Sequence, residues 1–206
     1  VMMDKKIPKA VLMRLPIYLH YLKTLPRSEK KTISSSAIAG ALKLGEVQVR
    51  KDLALVSGAG KPKIGYFVDE LIGHLEHVLG SRNITKAVIV GAGKLGKALM
   101  FFDGFPEYGI MIDTAFDCDG SKCGPLERGK QVLPMEKLKD YCRSENIKIG
   151  IITVPEKKAQ EVCDSLVDAG VSAIWNFASA SLETPDGVKV KNENIASSLA
   201  VLSCNC

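Results

Sequence analysis

The 206-residue chain contains no apolar run approaching the roughly 20 residues needed to cross a bilayer. Its N-terminus, with Asp4 and only a short apolar reach, lacks a signal-peptide pattern, so a cytoplasmic protein without a membrane segment is expected. Cysteine is absent until Cys118. The six thiols, Cys118, Cys123, Cys142, Cys163, Cys204 and Cys206, show no paired C-x-x-C spacing, which excludes the common zinc frameworks and makes reduced thiols the default. Cys204 and Cys206 form the one close pair, at a chain end where thiols are usually incidental. Histidine is scarce too, and all three, His20, His74 and His77, precede residue 80. His74 and His77 share a helix face but have no third ligand in view, so no metal site is expected. His20 reads as a helix-surface residue.

Charge is present in both signs but unevenly placed. Residues 1–80 hold 13 Lys+Arg against 7 Asp+Glu, and residues 81–206 hold 15 against 16. A basic module joined to a near-neutral one suits a chain whose first part meets a polyanion and whose second part meets a small molecule. The composition therefore divides the chain at Gly80-Ser81-Arg82-Asn83.

In the basic part, Val11, Leu12, Leu15, Tyr18, Leu19, Leu22 and Leu25 recur at helical spacing, with Pro16 splitting or kinking the helix. Ser34-Ser35-Ser36 can cap a helix over 37–42, and Lys43-Leu44-Gly45 supplies a turn before a second helix, Glu46 to Val56. This is a helix-turn-helix. Val47, Leu53 and either Val49 or Val56 are expected to face inward, leaving Gln48, Arg50 and Lys51 outward. Gln pairs with adenine, Arg forks onto guanine and Lys neutralises phosphate, so these three side chains suit a helix lying in the major groove of duplex DNA. The following segment, Ser57 to Val68, has turn residues and an apolar ending and reads as a β-wing carrying Lys61 and Lys63 near its tip, with a glycine-rich linker as the alternative. A helix over Val68 to Leu79 closes the module.

The second part begins with an apolar run, Lys86 to Val90, followed directly by Gly91-Ala92-Gly93-Lys94-Leu95-Gly96, and Asp117 ends the next apolar run. In this arrangement the first glycine permits the tight turn off the strand, the second admits a pyrophosphate close to the backbone, and the third lets the helix pack on the sheet. A carboxylate at the end of the second strand accepts ribose hydroxyls, which favours NAD over NADP because the extra phosphate of NADP meets a negative charge. The alternative is a doubly wound fold that keeps its glycines for packing and holds another nucleotide. Beyond the loop, strands and helices alternate: a helix through Met100, a strand to Asp117, a helix over Met135 to Glu145, a strand over Lys148 to Val154, a helix over Glu156 to Ala169, strands over Val171 to Phe177 and Val188 to Lys191, and a last helix over Ile195 to Ser203. Such alternation calls for a parallel sheet with the ligand at the carboxyl ends of the strands, where Thr153-Val154-Pro155 and Asn176-Phe177 form pocket walls. The expected class is α/β: an N-terminal winged helix-turn-helix domain and a doubly wound Rossmann domain. The sheet and its helices consume the second part, leaving no substrate domain, and no histidine lies there, so an oxidoreductase is disfavoured and no enzyme is expected.

Taken in order, Ile7-Pro8-Lys9, Arg14-Leu15-Pro16-Ile17-Tyr18, Val49-Arg50-Lys51-Asp52-Leu53, Gly65-Tyr66, Gly91 to Leu99, Phe116-Asp117, Thr153-Val154-Pro155 and Asn176-Phe177 resemble the redox-sensing transcriptional repressor Rex family. The resemblance covers nearly the whole chain. It implies a winged-helix domain over 1–80, an NAD(H)-binding Rossmann domain over 81–192, and a C-terminal segment, 193–206, whose helix is exchanged in a homodimer. It also implies operator binding with NAD and release with NADH, Arg14 as a domain-interface residue and Asp117 as the ribose-binding acid. Regulators binding coenzyme A or another nucleotide are the remaining alternative, beside an NAD-dependent oxidoreductase. The chain departs from the family in having Ala54-Leu55-Val56-Ser57 where members often have Ser-Tyr-Phe-Gly after the recognition helix. It also has Phe102 where some members carry Tyr near the nicotinamide, and Ala196 and Ser197 where those members place Asp and Phe. These changes predict that NADH and NAD are told apart less sharply.

Overall fold

The computed structural model describes residues 7–26, 31–80 and 84–204. The expectations that fall on Asp4, on the boundary residues Ser81, Arg82 and Asn83, and on Cys206 lie outside the described residues. The chain forms two compact units, Val1–Asn83 and Ile84–Cys206.

In the first unit the expected early helix is divided into α1 (Lys9–Leu12) and α2 (Leu15–Thr24). Pro16 sits in the first turn of α2, where a missing N–H costs no helical hydrogen bond. Leu15, Tyr18, Leu19 and Leu22 then form one buried stripe at spacings of three and four. A short strand, β1 (Thr32–Ile33), leads to α3 (Ser35–Leu42), whose first turn is capped by Ser34 accepting the Ala37 N–H at 3.1 Å. Lys43 turns left-handed to end α3, and Gly45 starts α4 (Glu46–Ser57). Val49, Leu53 and Val56 are the apolar residues α4 buries, whereas Val47 is 54% exposed. The expectation that Val47 faces inward is thereby corrected: two residues before Val49 on a helix, it points to the opposite side.

The wing is compact. Strand β2 (Tyr66–Phe67) pairs antiparallel with β1, and a bridge between Lys61 and Gly65, with both N–H···O distances 2.8 Å, closes a tight loop ahead of it. Gly65 has φ +83°, and a Cβ there would lie 2.3 Å from the Ile33 carbonyl oxygen, so the wing requires glycine where it meets β1. Helix α5 (Val68–Leu79) packs back on α2 and α4 through Val68, Leu71 and Leu75.

The second unit is built on a seven-stranded sheet. Its strands are β3 (Thr85–Val90), β4 (Ile110–Asp117), β5 (Gly124–Pro125), β6 (Gln131–Pro134), β7 (Ile149–Ile152), β8 (Ala173–Asn176) and β9 (Lys189–Asn192), in the spatial order β5-β6-β4-β3-β7-β8-β9. All pairings are parallel except β5 with β6. Helices α6 (Lys94–Met100), α7 (Leu138–Ser144) and α8 (Glu156–Asp168) connect the strands. Successive residues of β3 serve opposite faces: Ala87 and Ile89 join one core with Met100, while Val88 and Val90 join another with Leu166. The long helix expected from Met135 is a 3-10 turn, Met135–Lys137, followed by α7. Neither β5 nor β6 was expected. Helix α9 (Ile195–Ser203) follows β9, with Asn194 capping it by accepting the Ser197 N–H at 2.9 Å.

Among the described residues the five cysteines are free, and no helix is long and apolar enough to cross a membrane. Cys142 is buried and its thiol is pushed up to about 11 by that burial, which suppresses the reactive thiolate.

Candidate dinucleotide cleft and nucleic-acid interface

Strand order changes direction at β3: the chain moves to β4 and β6 on one side and to β7, β8 and β9 on the other. A crevice must open at the carboxyl ends of β3 and β7 where the connections diverge. A cleft of about 760 Å³ lies there, lined by Gly91, Gly93, Asp117, Thr153, Pro155 and Phe177 among others. Leu95 and Val154 also line it. Among the described residues, no group of three His, Cys, Asp or Glu is placed to hold a metal.

The three glycines of the loop are there for different reasons. Gly91 has φ +107°, and a Cβ on it would lie 2.9 Å from the Thr153 carbonyl. At Gly96 a Cβ would come to 2.0 Å from the Gly91 oxygen, so this glycine lets α6 sit against the turn. Thr153 secures the same turn from β7, its Oγ1 donating to the Gly91 oxygen at 2.8 Å. Gly93 differs: its φ is −75°, and a Cβ would meet nothing within 4 Å. Neither backbone conformation nor packing requires glycine at that point, which borders open space in the cleft. Ala92 is buried beneath the loop, and Lys94 starts α6 at the surface.

Asp117 is 6% exposed. Its Oδ2 accepts the Ala92 N–H at 2.8 Å, its Oδ1 accepts the Asp119 N–H at 2.9 Å, and Lys122 Nζ approaches both oxygens at 3.1 and 3.2 Å. Burial disfavours its charge, but the Asp119 N–H, Lys122 and the Ala92 N–H outweigh that and hold the carboxyl below its usual range. Lys122 and Cys118 line the cleft beside it, as do Lys158 and Met135, and sequence reasoning had named none of them as site residues. For Lys122 the only signal was a cation five residues beyond the acid. Asn176 does not reach the cleft. It is fully buried, donates to the Ala180 oxygen and the Asn192 Oδ1 at 2.9 Å each, and accepts the Ala178 N–H at 3.0 Å. Its role there is to lock the turn after β8, while its neighbour Phe177 forms the wall. Phe177 continues an aromatic series through Trp175 and Phe105 to Phe102, with centroid distances of 4.5, 6.0 and 5.1 Å. Ala196 and Ser197 lie exposed on α9.

In the first unit Gln48, Arg50, Lys51, Lys61 and Lys63 are all exposed. Arg50 of α4 and the wing residues Lys61 and Lys63 border one depression of about 280 Å³, with Ser34 and Ser35 at the start of α3 on its rim. Basic residues of two elements thus border the same depression as two serines, an arrangement suited to a phosphate. Arg14 is committed inside this unit: Nε donates to Asp52 Oδ2 at 2.7 Å and Nη2 to Oδ1 at 2.9 Å. Tyr18 donates to the same carboxylate at 2.7 Å. Burial opposes the charge on Asp52, yet the hydrogen bonds from Arg14 and Tyr18 hold it below the usual carboxylate range. Burial, followed by the bond to Asp52, pushes the Tyr18 hydroxyl up to about 12.

A winged helix-turn-helix followed by a doubly wound sheet with a glycine-loop cleft defines a class, that of ligand-responsive transcription regulators. Matches to known proteins narrow it. A model of a putative DNA-binding protein N-terminus matches residues 6–54, and a CoA binding domain model matches residues 82–180. The redox-sensing transcriptional repressor Rex of Carboxydothermus hydrogenoformans is 43% identical over 97% of this chain and 96% of that protein. The Rex of Treponema denticola is 41% identical over 98% and 96%. Among solved structures, RSP in complex with β-NAD+ and operator DNA superposes with a TM-score of 0.90 at 34% identity, over 98% of this chain and 93% of that one. RSP with β-NADH gives 0.85 at 33%, over 98% and 95%. The chain belongs to the Rex family of redox-sensing transcriptional repressors. The family is one of repressors, not enzymes.

Proposed function

We propose that residues 81–192 bind NAD(H) in the cleft, that residues 1–80 bind operator DNA, and that residues 193–206 hold two copies together in a cytoplasmic homodimer. The observation that carries the cofactor reading is Gly93. A glycine required by neither its φ nor its neighbours, placed at the mouth of a switch-point cleft, is explained by a ligand that must approach the backbone. The pyrophosphate passes over Gly93 and the amides of Lys94 and Leu95, the adenosine ribose meets Asp117 with Lys122 beside it, and Thr153, Val154 and Pro155 flank the path towards the nicotinamide. Asn176 acts on this path only by fixing Phe177. NAD+ and operator DNA are bound together in the RSP structure, which supports the same pairing of ligands here.

Gln48, Arg50 and Lys51 face the major groove, and Lys61 and Lys63 contact backbone phosphate from the wing. Helix α9 supports the dimer: Ile195, Leu199 and Leu202 form an apolar stripe that is 62 to 68% exposed in the single chain, more than a solvent-facing helix needs.

Calorimetry with NAD, NADH and coenzyme A tests the cofactor reading. Gly93→Val is expected to lower NAD(H) affinity at least about tenfold, roughly 1.4 kcal/mol, with little change in melting temperature, because a Cβ at that position meets nothing within 4 Å. Coenzyme A binding that NAD fails to displace would show that the cleft holds the other nucleotide.

A further inference from the structure

Helix α4 carries a side that its own unit does not use. Val49, Asp52, Leu53 and Val56 are buried on one face. At about 100° per residue, Val47 lies roughly 170° from their mean direction, pointing straight away from the core. Lys51 and Ala54 follow it at spacings of four and three along the same line, with Arg50 beside them, and all four residues are exposed. Val47 is 54% exposed. Valine ranks below alanine, glutamate and lysine as a helix former, so neither propensity nor packing accounts for it there. Its two methyls branch directly from Cβ, and a helix holds valine in one rotamer about nine times in ten. The place of this apolar surface therefore follows from the backbone alone.

That place is the first turn of the helix, after the N-cap Gly45, the part of a recognition helix that meets base edges. Arg50 and Lys51 on the same side suit a polyanion, so what lies opposite combines negative charge with an apolar point. In the major groove that point is the 5-methyl group of thymine, which no other base carries. We propose that Val47 is a specificity residue that packs its methyls on one thymine 5-methyl group, selecting T·A over C·G at that pair. Both groups are uncharged, so the contact adds base preference without adding to the salt dependence that lysine and arginine contacts carry. The inference rests on the DNA-reading role proposed above for the first unit.

Duplexes selected from a randomised pool by the full-length protein are remade with deoxyuridine, which lacks only the 5-methyl group, in place of each thymine in turn. Affinities are measured for the parent and for Val47→Ala, a change at an exposed position that favours the helix. At one thymine the parent is expected to lose about fourfold with deoxyuridine, the worth of one methyl removed from water. Val47→Ala is expected to bind the thymine duplex about fourfold more weakly than the parent. Deoxyuridine at that thymine is then expected to cost Val47→Ala less than about twofold, the ordinary error of additivity. At every other thymine the two proteins are expected to respond alike, with the same salt slope. No thymine whose deoxyuridine effect depends on residue 47, or Val47→Ala binding as tightly as the parent, overturns the inference. A parent that selects no duplex overturns it as well, through loss of the DNA-reading role itself, and that failure is distinguished by the absence of any binding.

Discussion

Among the described residues each unit buries one aspartate, Asp52 at 3% exposure and Asp117 at 6%, and holds it ionised against the cost of burial. The partners differ. Asp52 is met by the side chains of Arg14, the residue that precedes α2, and Tyr18 of α2, and so joins the start of α2 to α4. Asp117 is met by two backbone amides of its own loops and by Lys122, whose side chain remains 38% exposed. The first carboxylate is a brace whose side-chain partners both belong to its own unit. The second borders a cleft, and the cation on it can be shared with an incoming ribose. A buried charge does not by itself mark a binding site, and the character of its partners separates the two cases.

Removing each charge breaks the comparison open. Asp52→Ala leaves Arg14 and the buried Tyr18 hydroxyl without their acceptor, and a cost of about 3 kcal/mol is expected, measured by denaturant unfolding of the full chain. Asp117→Ala is expected to cost less stability and to lose NAD(H) instead. Should Asp117→Ala be the more destabilising of the two, the assignment of brace and ligand contact is inverted. The pH dependence has a definite sign. Both carboxyls are held below their unfolded values, so their stabilisation is fully present above the unfolded carboxylate pKa, about 3.9. It is lost as pH falls through the lower folded value. Acid unfolding of Asp52→Asn is expected to show a shallower pH dependence below pH 4 than that of the parent.

The exposed side of the first unit gives the next largest effect. Lys51→Glu replaces an exposed cation, proposed above to face DNA, with an anion on α4 next in sequence to the Asp52 brace. Duplex affinity is expected to fall by more than about tenfold, and the slope of log affinity against log salt to become shallower by at least about 0.9, one phosphate contact. Unchanged affinity in a filter-binding titration would remove α4 from the groove.

These contrasts also show what could be read from the sequence. Gly91, Gly96 and Asp117 were legible because a strand-turn-helix with an acid about twenty residues on is a pattern with few other uses. The helix-turn-helix was legible from Ser34, from the Lys43 to Gly45 turn and from the apolar spacing of α4. Asp52 was visible only as a member of a motif, since nothing local shows that Arg14, 38 residues away, will reach it. β6 went unread because four residues with a glutamine and a proline, of which only Val132 is fully buried, lack any strand pattern until β4 supplies the pairing. Asn176 was assigned to the pocket from its place at a strand end, and its side-chain bonds to Ala180, Asn192 and Ala178 turn it to the interior instead.

Lys122 sharpens the view of Asp117 as a selector of NAD. A lone carboxylate repels the 2′-phosphate of NADP, but an ammonium 3.1 Å from it screens that repulsion. Lys122→Ala is therefore expected to widen the ratio of NAD to NADP affinity by about threefold, as a partly exposed ion pair of about 0.7 kcal/mol allows. A narrowed ratio, measured by competitive calorimetry, would mean that Lys122 holds the ribose more than it screens the acid.

The smallest effect is expected at the end of the cleft proposed above for the nicotinamide. Phe102 is 58% exposed, has no polar atom on its ring, and packs edge-on against Phe105. The resemblance read from the sequence implies an Asp and a Phe in some members where this chain has Ala196 and Ser197, and Ser197 spends its amide on the Asn194 cap and its hydroxyl on the Asn194 carbonyl oxygen. A ligand shifts a two-state equilibrium only by its differential affinity for the two states, so tight binding through the pyrophosphate and ribose, common to NAD and NADH, moves nothing. NAD and NADH affinities are expected to agree within about threefold, a difference below 1 kcal/mol. NADH titrated into the protein–operator complex is then expected to displace less DNA than it does from a relative carrying Tyr, Asp and Phe at these positions. Restoring Phe102→Tyr and Ala196→Asp together should steepen the release. Full release from the parent by NADH, with NAD inert, would show that the ring is read by other residues of this chain.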